Sequence, residues 1–260
     1  MENKWENHFL KMNSLHKKYT LSFLSIFVVF LGWQILAFIK QDSFLFPNVT
    51  DIFKKVFLIL TNTNDLSSIF NTLSNLILVI LIALSTSLIL VFIYFKLPSS
   101  IHFFRPIVNI LKAAPFAVIS IYIFYAFDGS IAPGLVTFLV VLPIAFEGLV
   151  GAIDNINSNI KDDLKMLNIK SIYKYIYVYI PICLPYIITT LLQSFGLGLK
   201  VMIMSEYMCQ IENTIGQILI NIKYNFEFDT LLAWLIIIVA IVCAADLLIR
   251  LISKKYNYKN

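Results

Sequence analysis

The sequence predicts an all-α polytopic membrane protein with six transmembrane helices and both termini in the cytoplasm. Three observations carry this prediction. The 260-residue chain is 59% hydrophobic and only 13% charged, whereas ordinary soluble domains are about 45–50% apolar and about 25% charged. Its apolar residues form runs of the roughly 20 residues that a helix needs to cross a bilayer. Lysine and arginine collect in alternate connections between those runs, as expected of cytoplasmic segments.

The N-terminal segment, residues 1–20, precedes a first span at Leu21–Ile39. The lysines before this apolar run are similar to the charged start of a signal peptide. The run of 19 residues is however longer than a signal-peptide core of about 7–15 residues, and no small-x-small cleavage site follows it. We therefore expect an uncleaved transmembrane helix that follows a cytoplasmic segment.

Proline lies inside two of the three spans that follow. The second span lies within Leu66–Phe95, the third covers about Pro106–Phe127, and the fourth covers about Pro133–Ile153. Pro115 interrupts the third span and Pro143 lies inside the fourth. Prolines are tolerated in spans where neighbouring helices satisfy the freed backbone groups. This pattern therefore indicates helices that pack together in a bundle.

The last two spans are Ile182–Ser205 and Leu231–Leu251, followed by a cytoplasmic tail at residues 252–260. A shorter helix is predicted between the first and second spans, in the stretch FPNVTDIFKKVFLIL. Thr50 and Asp51 are its expected caps, because their side chains accept backbone N–H groups at helix starts. Its apolar run with lysines on one side favours a helix lying along the outer membrane surface.

The charge distribution sets the orientation of the six-span domain, residues 21–251. With the N-terminus inside, 15 of the 20 lysines and arginines lie in inner segments, four lie in outer segments, and Lys200 lies in the fifth span. This bias places both termini and the connection 154–181 in the cytoplasm. Membrane topology thus explains the net charge of +5. We expect membrane lipid, and no nucleic acid, among the partners.

The connection 154–181 contains the charged and tyrosine-rich stretch DDLKMLNIKSIYKYIYVYIP. A helix over Asn159–Leu167 is expected, because acids at its start favour the positive helix end and Lys165 lies near its C-terminal end. Asn168 tolerates the left-handed conformation that ends helices. Ser171 is then a suitable cap for a second helix. A short helix held at the membrane face has a shape that presses into a groove on a partner protein.

This stretch resembles the signature loop of the membrane subunits of ATP-binding-cassette (ABC) importers. That signature reads EAA, three residues, Gly, and then a hydrophobic stretch to Leu-Pro. DDL at residues 162–164 falls at EAA, Asn168 at the glycine, and IP at residues 180–181 at Leu-Pro. The spacing fits, with six residues from Asp162 to Asn168 and thirteen more to Pro181. Asp162 keeps the charge of the glutamate, whereas the two alanines and the glycine are replaced.

Three more segments, FPNVTDIFKKV, FFRPIVNILKAAP and LGLKVMIMSEYM, are similar to segments of the nitrate/sulfonate/taurine-type permease subfamily, in the same order. The likeness covers roughly Phe46 to Leu251, and the six-span count agrees with it. The resemblance implies the type I ABC importer permease fold in a plasma or inner membrane. It also implies import of a nitrate-, sulfonate- or taurine-like anion, or of a vitamin precursor.

In that family the loop is a coupling helix that docks into a groove of a separate cytoplasmic ATPase dimer. The positions that would form this contact here are Asp162, Asp163, Leu164, Lys165, Leu167 and Asn168, with Pro181 fixing the exit. The resemblance further implies a second permease subunit, identical or different, and an extracytoplasmic solute-binding protein. The alternative is a solvated loop that only follows the positive-inside rule.

Four residues at the outer part of the fifth span are candidates for the translocation path. Lys200 lies about 18 residues into the span, or roughly 27 Å along it. Its ammonium attracts an anion in an outward-facing cavity, snorkels to the surface, or pairs with an acid such as Glu206 or Glu212. Ser194 and Gly198 are four residues apart, a spacing of small residues that allows close helix contact. They lie along the path or a subunit interface, or they pack inside one subunit.

The sequence shows no motif or grouping of residues that would carry out bond chemistry. It contains no GxxxxGK[ST] phosphate loop, so another chain must be the ATPase, and no catalytic residue is expected here. Its three cysteines are widely spaced without a histidine cluster, so neither a metal nor another cofactor is expected. A stand-alone secondary carrier or channel is the alternative, but it needs buried ionisable relays, for which only Lys200 and Asp246 qualify. Asp246 is better explained by an ion pair with Arg250, four residues later.

Overall fold

The structure, a computed structural model, describes residues 27–127, 129–156 and 175–257, with the isolated positions 20–21, 24–25, 166 and 173. Regular structure in these ranges is helical throughout and contains no strand. The predicted all-α class is therefore confirmed for this part of the chain. Most of the predicted N-terminal segment 1–20 and most of the connection 154–181 lie outside the described residues.

The helices are numbered in chain order. They are α1 (Phe27–Lys40), α2 (Val49–Thr61), α3 (Thr63–Lys96), α4 (Ile101–Ala113), α5 (Phe116–Ala126), α6 (Ala132–Asp154), α7 (Ile180–Cys209), α8 (Ile215–Asn225) and α9 (Phe228–Asn257). A 3-10 turn at Pro98–Ser100 precedes α4, and a π-helical turn at Tyr175–Tyr179 leads directly into α7. The predicted second, fourth, fifth and sixth spans fall within α3, α6, α7 and α9.

Four of the described helices are long and apolar enough to cross a membrane, namely α3, α6, α7 and α9. The bent pair Pro98–Ala113 and Phe116–Ala126 would be a fifth span if it crosses as one unit. The described part of α1 is shorter than a full span. The number of six spans is therefore not confirmed, although the bundle of apolar helices is.

The third predicted span, Pro106–Phe127, is broken rather than continuous. Its two parts, α4 and α5, meet at 94° across Ala114 and Pro115. Both residues have extended backbone, with ψ of 128° and 118°. Proline lacks an N–H group and disfavours helical conformation in the residue before it. As a result α4 is a separate helix beside α6, where Lys112 Nζ lies 2.7 Å from Glu147 Oε2.

The short helix predicted before the second span is present as α2. Its N-cap is Asn48, and not Thr50 or Asp51 as the sequence predicted. The side chain of Gln34 in α1 determines this start. Its Nε2 donates to Asn48 Oδ1 at 3.1 Å, and its Oε1 accepts from the Val49 N–H at 3.1 Å. Gln34 satisfies the first N–H group of α2, and α2 therefore begins before the predicted caps Thr50 and Asp51.

The centre of the bundle is α6. About 50% of its most apolar stretch is buried inside the chain, against 17% for that of α9. A Cβ added to Gly148 of α6 would lie only 2.9 Å from Thr190 Cβ, so α6 and α7 approach closely here. Large apolar side chains on the outside, such as Phe38, Phe70 and Tyr125, are at least 70% exposed. Such an apolar exterior is typical of contact with lipid.

Candidate functional site

The predicted coupling residues Asp162, Asp163, Leu164, Lys165, Leu167 and Asn168 lie outside the described residues. Pro181 is described and lies in the first turn of α7. Proline is tolerated there because N–H groups of the first turn have no partner within the helix. The π-helical turn at Tyr175–Tyr179 precedes it without a break. Helical backbone therefore runs from Tyr175 through Pro181 into the fifth span, and the role of Pro181 at the exit of the connection stays a prediction.

Lys200 belongs to an exposed stripe on α7. The stripe consists of Gln193, Leu197, Lys200 and Met204, the exposed residues of this helix between Thr190 and Cys209. Their spacing of four, three and four residues puts them on one helical face. The ion pairs among the described residues do not include Lys200. An amide and an ammonium group thus lie on an open face of a helix long enough to span the membrane.

Ser194 and Gly198 lie on the opposite, buried face of α7. A Cβ added to Gly198 would lie 3.0 Å from Leu76 Cδ1 of α3 and 3.2 Å from Val141 Cγ2 of α6, so three helices meet at this glycine. The Ser194 hydroxyl is buried and has no hydrogen-bond partner among the described residues. This placement agrees with the packing interpretation of both residues, and their part in a path stays a prediction.

Glu206 is 1% exposed and joins three helices at the C-terminal end of α7. Its Oε2 accepts a hydrogen bond from Thr72 Oγ1 of α3 at 2.9 Å, and one from the Gly216 N–H of α8 at 3.4 Å. Thr72 Oγ1 in turn accepts one from the Ile215 N–H at 3.1 Å. We name these four residues the Glu206 node. The first N–H groups of α8 favour a carboxylate, since a helix N-terminus is positive.

A tight turn between α7 and α8 brings the members of the node together. Gln210, which ends α7, and Asn213 both have a positive φ, of 53° and 55°. Thr214 then caps α8, because its hydroxyl accepts a backbone N–H of the first turn. Gly216 follows, so close to α7 that a Cβ would lie 2.4 Å from Glu206 Cβ. A side chain larger than hydrogen does not fit at this position.

The sequence identified Glu206 but not its partners. Thr72 lies 134 residues away along the chain, and no sequence pattern connects the two. The sequence feature that could have identified Gly216 is its position shortly after the helix cap Thr214. A capped helix start followed by glycine favours a nearby carboxylate. Among the described residues, no three His, Cys, Asp or Glu side chains group as metal ligands. The contacts of the Glu206 node hold three helices together. They account for the position of Glu206 without an ion pair to Lys200.

At the other end of α7, an ion pair from α4 and a hydrogen bond from α3 meet at the end of α6. Arg105 Nη2 lies 3.9 Å from Asp154 Oδ2, and the Tyr94 hydroxyl donates to Asp154 Oδ1 at 2.6 Å. These side chains are partly exposed, so each pair contributes about 1 kcal/mol or less, and their main effect is to orient α4. The predicted pair of Asp246 and Arg250 is confirmed, with an N···O distance of 2.8 Å.

Known proteins similar to this chain are transport proteins. The family described as "Binding-protein-dependent transport system inner membrane component" matches residues 98–258, from the turn before α4 to the end of α9. A solved structure described as the crystal structure of an amino acid ABC transporter with histidines has a TM-score of 0.57 and 15% sequence identity. The similarity covers 75% of this chain and 93% of that chain. No curated protein matches the sequence. Because the family match covers more than half of its residues, the chain belongs to the family of inner membrane components of binding-protein-dependent transport systems.

Proposed function

We propose that this chain is the permease subunit of an ATP-driven ABC importer and forms the translocation path for a small solute. Its family makes it a multi-pass ABC transporter permease of the cell membrane, and this membership is the observation that carries the proposal. The fold similarity to an ABC transporter chain supports it. Proteins of this kind are transport subunits, so we assign ATP hydrolysis to a separate chain.

The proposed topology has six spans and both termini in the cytoplasm. It is supported by the position of 15 of the 20 lysines and arginines in the segments that this topology puts inside. It also agrees with the helix order, because α3 and α6 end at the side of the bundle where α7 begins. That side carries the connection 154–181 and is therefore the proposed cytoplasmic side.

The stripe on α7 supports a path that passes Lys200. Polar and ionisable side chains within a membrane span usually face protein or a water-filled cavity. We therefore place the stripe toward the space between this chain and a second permease subunit, identical or different. Ser194, Gly198 and Glu206 then hold the stripe in place from the buried side. The Lys200 ammonium favours an anionic solute, such as a nitrate-, sulfonate- or taurine-like anion, over a neutral vitamin precursor.

Water access to Lys200 tests this path. We expect a Lys200→Cys variant, made after serine replaces Cys183, Cys209 and Cys243, to react with a membrane-impermeant thiol reagent. The reactive thiolate forms in water and not in lipid, so Lys200→Cys should react at least about tenfold faster than Leu235→Cys. Leu235 is the matched control, since it is 56% exposed on the peripheral helix α9. Equal, slow labelling of the two positions would refute the water-lined stripe.

We propose that the connection 154–181 docks a cytoplasmic ATPase dimer through Asp162, Asp163, Leu164, Lys165, Leu167 and Asn168, close to Pro181. ATP binding then moves the connection, and the spans alternate between inward-open and outward-open states. An extracytoplasmic solute-binding protein loaded with solute stabilises one of these states. Each partner must bind the two states with different affinity, since otherwise it shifts neither.

Co-purification in mild detergent tests the docking. We expect a cytoplasmic ATPase to be recovered with the wild-type chain and to be lost with Asp163→Arg plus Leu164→Arg, because two added charges disrupt a close-packed contact. The matched control is Thr50→Arg plus Asp51→Arg, which makes the same substitution of two adjacent residues in α2. If no ATPase is recovered with any variant, the importer assignment fails, and ion flux through the chain alone becomes the next measurement.

A further inference from the structure

An apolar cavity of about 370 Å³ lies between α3, α6 and α7 at the end of the bundle where α7 begins. Its lining residues fall within 88–95 of α3, within 149–156 at and just beyond the end of α6, and within 179–187 from the π-helical turn into α7. It is far from the Glu206 node, which lies at the opposite end of α7. None of the stripe residues lines it, and neither does Pro181. It is therefore a separate site from those already described.

The lining of the cavity has the chemistry of a site for hydrocarbon. Among the described residues that line it none is charged, and only Tyr179 and Cys183 bring side-chain polar atoms. An apolar cavity of this kind does not hold ordered water. Its volume accommodates roughly ten methylene-sized groups if each takes about the 30 Å³ of a water molecule. That size suits one extended acyl chain.

The cavity opens on the outer surface of the bundle, where lipid lies. Two of its lining residues, Phe92 of α3 and Ile180 of α7, are 57% and 52% exposed. Ala152, at its base on α6, is 1% exposed. The cavity is thus closed toward the core of the chain and accessible from the side.

A cation stands at the rim of the cavity. Lys96, the last residue of α3, has its ammonium 5.7 Å from the ring centroid of Phe92. Lys96 makes no ion pair with a described residue, whereas Arg105 and Lys112 at the same end are paired with acids of α6. Its charge is therefore available to a ligand that occupies the cavity. The apolar cavity and this charge match the two ends of an anionic lipid.

From this geometry we infer that the cavity binds one acyl chain of an anionic phospholipid, with the headgroup phosphate on Lys96. Basic residues at a membrane surface attract anionic lipids, and the acyl chain adds apolar contact that a free anion lacks. The lipid belongs to the leaflet at the C-terminal end of α3, which is the cytoplasmic leaflet in the proposed topology. The inference depends on membrane location and not on ATPase docking.

Native mass spectrometry of the full-length chain in nonionic detergent tests this site. Dioleoyl phosphatidylglycerol is compared with dioleoyl phosphatidylcholine, which has the same acyl chains and no net charge. We expect one phosphatidylglycerol to be retained preferentially. Lys96→Gln should lower its retention roughly fivefold, the change that about 1 kcal/mol per basic residue produces. Lys54→Gln, at an exposed lysine in α2, is the matched control and should leave retention unchanged.

Two further variants separate the cavity from the charge. Ala152→Phe fills the cavity from its base, and Ile180→Trp narrows it from an exposed position where folding tolerates a larger side chain. Both should lower retention of the two lipids to a similar extent, whereas Lys96→Gln should lower retention of phosphatidylglycerol more than that of phosphatidylcholine, whose choline cation offsets its phosphate. Equal retention of the two lipids by wild type, or no response to the filling variants, would overturn the inference. The second permease subunit would then be the occupant to examine.

Discussion

Replacing Gly148 with alanine should destabilise the protein by about 1–3 kcal/mol, the usual cost of overpacking a filled interior. The new Cβ would lie 2.0 Å from Thr190 Oγ1 and 2.9 Å from Thr190 Cβ. Because Thr190 is buried and branched at Cβ, it cannot turn away without moving α7. The protein is heated in detergent, and the monodisperse fraction is then measured by size exclusion. We expect this fraction to fall at a lower temperature for the variant than for the wild type.

A matched control for Gly148 lies in the same helix. Gly151→Ala should leave the melting temperature unchanged or raise it, because its Cβ would meet nothing within 4 Å and alanine favours helix. Adding Thr190→Ala to Gly148→Ala removes two of the three close atoms and should restore part of the stability. Equal melting temperatures for Gly148→Ala and Gly151→Ala would contradict the close approach of α6 and α7.

Removing the Glu206 carboxylate should destabilise the chain by about 2–4 kcal/mol. In Glu206→Ala, the Thr72 hydroxyl loses its acceptor and the Gly216 N–H loses its partner, both at buried positions. Each unsatisfied buried group costs about 1–3 kcal/mol. Glu206→Gln should cost less, because its amide oxygen still accepts from Thr72. Thermal unfolding in detergent, followed as for Gly148, measures both variants.

Glu212→Ala is the control for Glu206, since it removes the same charge at an exposed residue six positions later. We expect it to change stability by no more than about 0.5 kcal/mol. A loss of stability equal to that of Glu206→Ala would indicate that net charge, and not the node, is responsible. Labelling of Lys200→Cys should be preserved in the Glu212 variant, which provides a check of its fold.

Much of the fold follows from the sequence, because lipid requires continuous helix wherever the chain crosses it. The run Pro133–Ile153 predicted α6 (Ala132–Asp154) to within one residue at each end. The prediction of a continuous third span was wrong, because composition does not record a break in the helix. Apolar residues continue on both sides of Pro115, so composition alone cannot reveal a 94° bend. The direction of α4 is set by contacts with α6, which lie outside the local sequence.

The candidate site was predictable only in part. Lys200 attracted notice as a charge within an apolar run, and the structure puts it on the exposed stripe. The sequence pattern does not show which way the Glu206 side chain faces. An acid near a helix end is equally compatible with a translocation path and with a contact between helices. Its partner Thr72 lies in α3, and Gly216 contributes because its backbone comes close to that of α7. Such contacts arise from tertiary packing and leave no local periodicity.

The close contact of α6 and α7 has a mechanical consequence. Where Gly148 meets Thr190 there is little free space between the two helices, and close-packed contacts resist compression. We therefore expect the two helices that flank the connection 154–181 to move together at this contact. Lys200 lies 20 residues beyond Ile180, or roughly 30 Å along α7. We expect a displacement applied at the start of α7 to reach Lys200 along this one helix, which contains a single interior proline, Pro185.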